Sequence, residues 1–176
     1  MSTFSNRIFR AAKLDISLYE EVEADQHALG QAQHALGQAL GVVLISSLAA
    51  GIGLTRQIGT WGILTGMVSA LAGWIVWAYL TYWIGAKIIP EPQTECSPRE
   101  MLRVIGFASS PGLIRIFGII PGVAGVIFFA ASLWSLVAMV IAVRQALDYQ
   151  STWRAIGVCL VGWAIQALII IVFFGI

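Results

Sequence analysis

Apolar positions dominate the chain in long blocks, with the polar positions gathered between them. Asp25 and Arg56 are separated by 30 residues without Lys, Arg, Asp or Glu, and Arg56 and Lys87 by another 30. Arg115 and Arg144 bracket 28 more, and the last 22 residues, after Arg154, carry no charge. About 20 apolar residues suffice to cross a bilayer as a helix. The blocks lack the period-two alternation of membrane strands, which excludes a β-barrel. They predict spans over about Leu36–Leu54, Trp61–Ile88, Gly122–Ala146 and Thr152–Phe174. A further span, third in order, covers Arg99–Ile119 and is the weakest, because it carries Arg103 and Arg115. "SSPG" at Ser109–Gly112 breaks it, since Pro111 removes a backbone donor and kinks the helix. The preceding loop, "PEPQTECSP", ends with Ser97 placed to cap a helix starting at Pro98. The expected fold is an all-α polytopic membrane protein with five transmembrane helices, the third broken at Pro111.

Before the first span the pattern changes. Over Thr3–Lys13, Phe4, Ile8, Ala11 and Ala12 share a helical face, and Arg7, Arg10 and Lys13 follow at i+3 beside it. A short amphipathic helix of this kind lies on a membrane surface with its basic side chains among anionic head groups. "DISLYEEVEAD" follows, with five carboxylates and no base. Glu20, Glu21, Glu23 and Asp25 are candidates for a basic protein partner or a cation, Glu20 and Glu23 sharing one helical face. Then "QHALGQA" occurs twice in succession, Gln26–Ala32 and Gln33–Ala39, and holds both histidines of the chain, His27 and His34. Seven helical residues separate the histidines by about 10.5 Å along the axis. Zinc–nitrogen bonds are only ~2.0–2.1 Å long, so one helix cannot offer both to one ion. Helix from Gln26 to Leu54 would be about 43 Å long at the helical rise, against a hydrocarbon core of about 30 Å. The repeat is therefore expected to extend the first span out of the bilayer, with Ala28, Ala32, Ala35 and Ala39 on a packed strip. Residues 1–35 are expected to form a cytoplasmic amphipathic and acidic segment with this extension, and residues 36–176 the membrane domain.

Composition agrees with this picture. The chain is 59% hydrophobic and 11% charged, where a soluble domain is about 25% charged. Its net charge of +1 offers nothing to nucleic acid. With five spans, Arg7, Arg10, Lys13, Lys87, Arg99, Arg103, Arg144 and Arg154 fall on one side and Arg56 and Arg115 on the other. Eight against two places the N-terminus in the cytoplasm and the C-terminus on the opposite face. Cys96 and Cys159 are expected to be unpaired. The start of the chain lacks the apolar run of ~7–15 residues of a cleavable signal peptide.

Candidate chemistry is sparse. Ser46, Ser47, Ser69, Ser132 and Ser135 have no histidine or lysine beside them in the spans, and membrane serines more often bond backbone or a neighbouring helix. No catalytic residue, cofactor or metal site is expected. Arg115 is the intramembrane polar residue. It stands six residues before Pro121, about 9 Å along a helix, so it either snorkels outward or marks a functional site. A charge beside a broken helix is also a feature of transporters. Gly62, Gly66 and Ala70 recur at i+4 with Gly73 close by, Gly37 and Gly41 form G-x-x-x-G, and Ala49, Gly51 and Gly53 end the first span. Such stripes predict close helix packing, within the chain or between copies. Trp74, Trp77, Tyr79, Tyr82 and Trp83 gather toward the end of the second span, as an interfacial aromatic belt does; the alternative is a pocket for pigment or lipid.

"LDISLYEEVEAD" before the first span, "LISSLAAGIG" ending it, and "VIGFASSPGLIRIFGIIPGVAGVIFFAASLWSLVAMVIAVRQAL" after the polar loop resemble the Yip domain family. The likeness covers nearly the whole chain after about residue 10 and is strongest over Arg103–Leu147. It rests on the order of three elements: Gly-Phe-Ala-x-x-Pro, an Ile-Pro-Gly turn, and a Trp-containing span ending in "VRQAL". The resemblance implies five membrane helices and a cytosolic N-terminus. Eukaryotic members bind Rab-type GTPases and shape membranes. This chain departs from them in lacking an Asp-Leu-Tyr-Gly-Pro element and a long cytosolic N-terminal region, so it resembles the compact prokaryotic branch and GTPase binding is not carried over. The expected role is a non-catalytic integral membrane protein that organises lipid or protein partners. The expected location is a bacterial cytoplasmic membrane, or a thylakoid-type membrane. One alternative is an accessory subunit of a larger complex or a homo-oligomer. The other is a small channel or transporter centred on Arg115 and the Pro111 break.

Overall fold

The computed structural model describes residues 3–24 and 29–174, and no strand occurs among them. Helix α1 (Phe4–Ala12) starts at Thr3, whose hydroxyl accepts the Asn6 N–H. It stops where Leu14 turns left-handed at φ 61° and the Asp15 N–H donates to the Arg10 carbonyl, a capping geometry that satisfies a terminal carbonyl. Helix α2 (Ile16–Ala24) follows directly.

Helix α3 (Leu29–Gly53) runs unbroken for 25 residues, and Leu54 alone separates it from α4 (Thr55–Tyr82). Gly59 breaks the first turns of α4 at φ 65° and ψ −177°, a conformation open essentially to glycine. The end of α4 widens into a π-helical segment, Trp83–Ile88, and Pro90 follows. Ser97 opens α5 (Pro98–Ala108) with a capping box: its hydroxyl accepts the Glu100 N–H, and Glu100 returns a bond to the Ser97 N–H. At Ser109 the chain tightens into a 3-10 segment, Ser110–Ile119, with Pro111 in its first turn. Pro121 and Gly122 make the next turn, Gly122 at φ 82°. Helices α6 (Ala124–Ala146) and α7 (Thr152–Phe174) complete the chain, each 23 residues long.

Four segments are long and apolar enough to cross a membrane among the described residues: His34–Gly53, Trp61–Ile88, Pro98–Ile119 and Ala124–Ala146. The third is the least apolar and the most buried of them. From Glu100 to Ala108 every side chain but that of Leu102 is buried. Protein, not lipid, surrounds α5, which is how it carries Glu100 and Arg103 at low cost. The α-helical and 3-10 rises give Pro98–Ile119 a length of roughly 36 Å, enough for the hydrocarbon core. The outer surfaces of α4 and α6 are the reverse of α5: Trp61, Leu64, Val68, Val126, Phe129 and Leu133 are all exposed.

Two ends of the bundle can be told apart by their bonds. At one end the Tyr149 hydroxyl lies 2.9 Å from the Gly85 carbonyl and 2.8 Å from that of Ile89. There too the Thr94 hydroxyl donates to Leu147, and Arg154 pairs with Glu91 at 3.3 Å. Helix α2 joins this end through Arg103, whose Nε donates to the Val22 carbonyl at 3.1 Å, and through Gln145, which donates to Glu20 at 3.3 Å. At the other end Gly53 meets the backbone of Arg115 and Gly118.

Candidate functional site

The basic row of α1 and the carboxylates after it meet each other. Arg7 is buried and donates to Glu21 Oε1 from Nε at 3.1 Å and from Nη2 at 2.8 Å, while Nη1 donates to Gln38 of α3 at 3.0 Å. Arg10 reaches the second oxygen of Glu21 and donates to Asp15 at 2.7 Å. The Arg10 hydrogen bond, helped by that from Ser17, holds the Asp15 carboxyl below the usual carboxylate range. Lys13 is exposed. The apolar face of α1 packs inward: Ala11 is fully buried, and Phe4 and Ile8 lie against the core. A Cβ on Gly41 would stand 3.3 Å from the Phe4 ring. Beside this cap, burial pushes the Tyr19 hydroxyl well above its ordinary range. Glu20 is exposed and bonded to Gln145. The side chain of Glu23, and Asp25 and His27 entirely, lie outside the described residues. His34 is exposed, and Ala35 and Ala39 are fully buried.

The second feature is a cleft of about 420 Å³ between α3 and α4, floored by α5, the 3-10 segment, α6 and α7. Gly62, Gly66, Ala70 and Gly73 form one wall, continued by Trp74 and Trp77. A Cβ on Gly66 would meet nothing within 4 Å, and one on Gly73 would meet only Gln166, at 3.9 Å. Gly37 also faces open space. Within the chain, therefore, the α4 stripe borders a void. The Trp74 indole donates to the Leu102 carbonyl at 3.0 Å, and Trp77 to Met139 Sδ at 3.3 Å. Ser46 and Ser47 donate to backbone carbonyls.

Arg115 lines this cleft. Its Nη2 lies 3.4 Å from Ser132 Oγ, and its guanidinium stands 5.9 Å from the centre of the Phe128 ring. No carboxylate is paired with it among the described residues.

The closest approaches occur at the end of the first span, where small residues were expected to pack, and at glycines outside the predicted stripes. A Cβ on Gly53 would overlap the Arg115 carbonyl oxygen, and one on Gly85 would overlap Leu147. A Cβ on Gly106 would stand 2.7 Å from that of Ala39, and one on Gly118 2.8 Å from the Phe128 ring. The available signal was that Gly106 and Gly118 each interrupt a run of bulky apolar residues, and that Gly53 ends the small-residue stretch Ala49, Gly51, Gly53.

The Yip1 domain family matches residues 27–174. No curated protein and no solved structure matches the chain.

Proposed function

The chain belongs to the Yip1 domain family, and on that premise we propose that it is a non-catalytic bilayer-spanning organiser of lipid or protein partners. The observation that carries the reading is the contrast between its surfaces. Trp61, Val68, Val126 and Phe129 point outward from α4 and α6, each more than two-thirds exposed, while the polar residues of α1 and α2 bind one another and the bundle. Exposed apolar area on this scale suits lipid, not water.

The proposed topology has five spans: the four apolar segments and α7. The N-terminus, the 89–97 loop and the 147–151 loop are bonded at one end, and that end carries eight of the ten Lys and Arg residues. It is assigned to the cytoplasm of a bacterial inner membrane, or of a thylakoid-type membrane. Residues 1–35 then supply a cytoplasmic face with Lys13 toward head groups and the carboxylates from Glu20 to Asp25 toward a partner. A periplasm-active reporter fused after Ile176 should be active; a silent one overturns five spans. Purification in mild detergent with native mass measurement should return a homo-oligomer, a stoichiometric partner or bound lipid, and a lone, lipid-free monomer in every detergent would sink the organiser reading.

A second reading, a channel or transporter, draws on Arg115 in the cleft beside the 3-10 segment. Liposome flux that Arg115→Ala leaves unchanged would remove it.

A further inference from the structure

We propose that the cleft holds one acyl chain of an amphiphile whose anionic oxygen headgroup, a phosphate or a carboxylate, sits on Arg115. The shape comes first. Gly62 and Trp77, at its two extremes along α4, lie about 22 Å apart at the helical rise. The cleft is long and narrow, as an extended acyl chain is. Its volume of about 420 Å³ is that of a small-molecule site.

The wall chemistry matches. Glycine at 62, 66 and 73 keeps side chains out of the space. The indole N–H groups of Trp74 and Trp77 and the hydroxyls of Ser46 and Ser47 are bonded away. The faces left toward the cleft are mainly apolar, with the Gln166 amide beside Gly73.

Charge then selects the headgroup. Arg115 holds one weak contact to Ser132 and the ring of Phe128, and no described carboxylate offsets it. A guanidinium in a low-dielectric setting gains most from an acceptor that offers two oxygens to its fork of N–H groups. A phosphodiester and a carboxylate each present two anionic oxygens, and neither occurs on a diacylglycerol.

The inference rests on the bilayer-spanning reading and is tested on the full chain in mild detergent. Native mass spectrometry would follow retention of phosphatidylglycerol, palmitate and diacylglycerol from an equimolar mixture. One anionic amphiphile per chain should be retained with about a tenfold preference over diacylglycerol, the size of one charge-assisted hydrogen bond. Phosphatidylglycerol ahead of palmitate identifies a phosphate headgroup; the reverse order identifies a carboxylate. Arg115→Gln should abolish the preference. Gly66→Leu should lower retention of every lipid while the helical circular dichroism stays native, because nothing stands within 4 Å of a Cβ there. Equal retention of anionic and neutral lipids, or a preference that survives Arg115→Gln, overturns the proposal. Either result in a chain that still inserts and keeps its partner leaves the organiser reading standing.

Discussion

Gly53 of α3 lies against the carbonyl oxygen of Arg115, so closely that a Cβ at position 53 would occupy the same space. The obstacle is backbone, flanked by Gly118 and by the Phe128 ring of α6, and it cannot swing away as a side chain would. Gly53→Ala is therefore expected to cost more than the ~1–3 kcal/mol typical of overpacking and to abolish the folded peak in detergent gel filtration. Gly66→Ala makes the opposite case. Its Cβ meets open space, and the helix propensity gained is up to about 1 kcal/mol. The apparent melting temperature of this variant should hold or rise. Equal damage from the two substitutions would show that the α4 stripe is a packing surface within the chain.

Tyr149 ties the 147–151 loop to the π-helical end of α4, its hydroxyl within 2.9 Å of two carbonyls, those of Gly85 and Ile89. Tyr149→Phe keeps the ring and removes the donor. Leaving a buried carbonyl unsatisfied costs about 1–3 kcal/mol. For a chain of this length each kcal/mol is worth about 2–4 °C of melting temperature, which a thermal scan in detergent resolves. An unchanged midpoint would mean that the π-helical carbonyls find other partners.

The α1–α2 cap should respond to acid. Arg10 holds the folded Asp15 carboxyl below its ordinary value. A depressed carboxylate stabilises the fold above its unfolded pKa, and that stability is lost as pH falls through the lower, folded value. Melting temperature should therefore fall below about pH 4, the unfolded carboxylate range. Asp15 is largely solvated, so the change is small. Asp15→Asn should flatten this part of the profile, measured in a non-ionic detergent. An identical slope in the variant would assign the acid response to other groups.

The membrane blocks were legible because lipid imposes one demand, about twenty uncharged residues in a row, that sequence displays directly. The weakness of Arg99–Ile119 was equally visible, but its reason was not. Hydropathy cannot tell that α5 is wrapped by other helices, where Glu100 and Arg103 find protein partners. The basic row of α1 and the carboxylate of Glu21 were each plain in sequence. Their union was not, because the turn at Leu14 needs a left-handed leucine that no local propensity announces. For the cleft, the stripe Gly62, Gly66, Ala70 looked like a closed interface. Whether a small-residue face closes or stays open depends on where the neighbouring helix sits, and α3 approaches α4 at Gly51 and Ile63 instead.

The duplicated heptad gives the last test, because its residues now divide by what they touch. Ala39 is fully buried, and the Cβ that Gly106 lacks would stand 2.7 Å from Ala39 Cβ. His34, five residues earlier, is exposed. Gln38 accepts a hydrogen bond from buried Arg7 at 3.0 Å, tying the α1 cap to this turn of α3. Ala39→Leu should force α3 from α5 and cost at least the ~1–3 kcal/mol of an overpacked core. His34→Ala removes an exposed side chain and should stay within about 0.5 kcal/mol of the parent. Gln38→Leu should fall between them, since it strips one acceptor from a charged donor that keeps Glu21. Melting temperatures in a single detergent would rank the three. If His34→Ala were the most damaging, the heptad would owe its place to its histidines. The expected order assigns that role to its alanines, which let α3 and α5 approach to backbone contact.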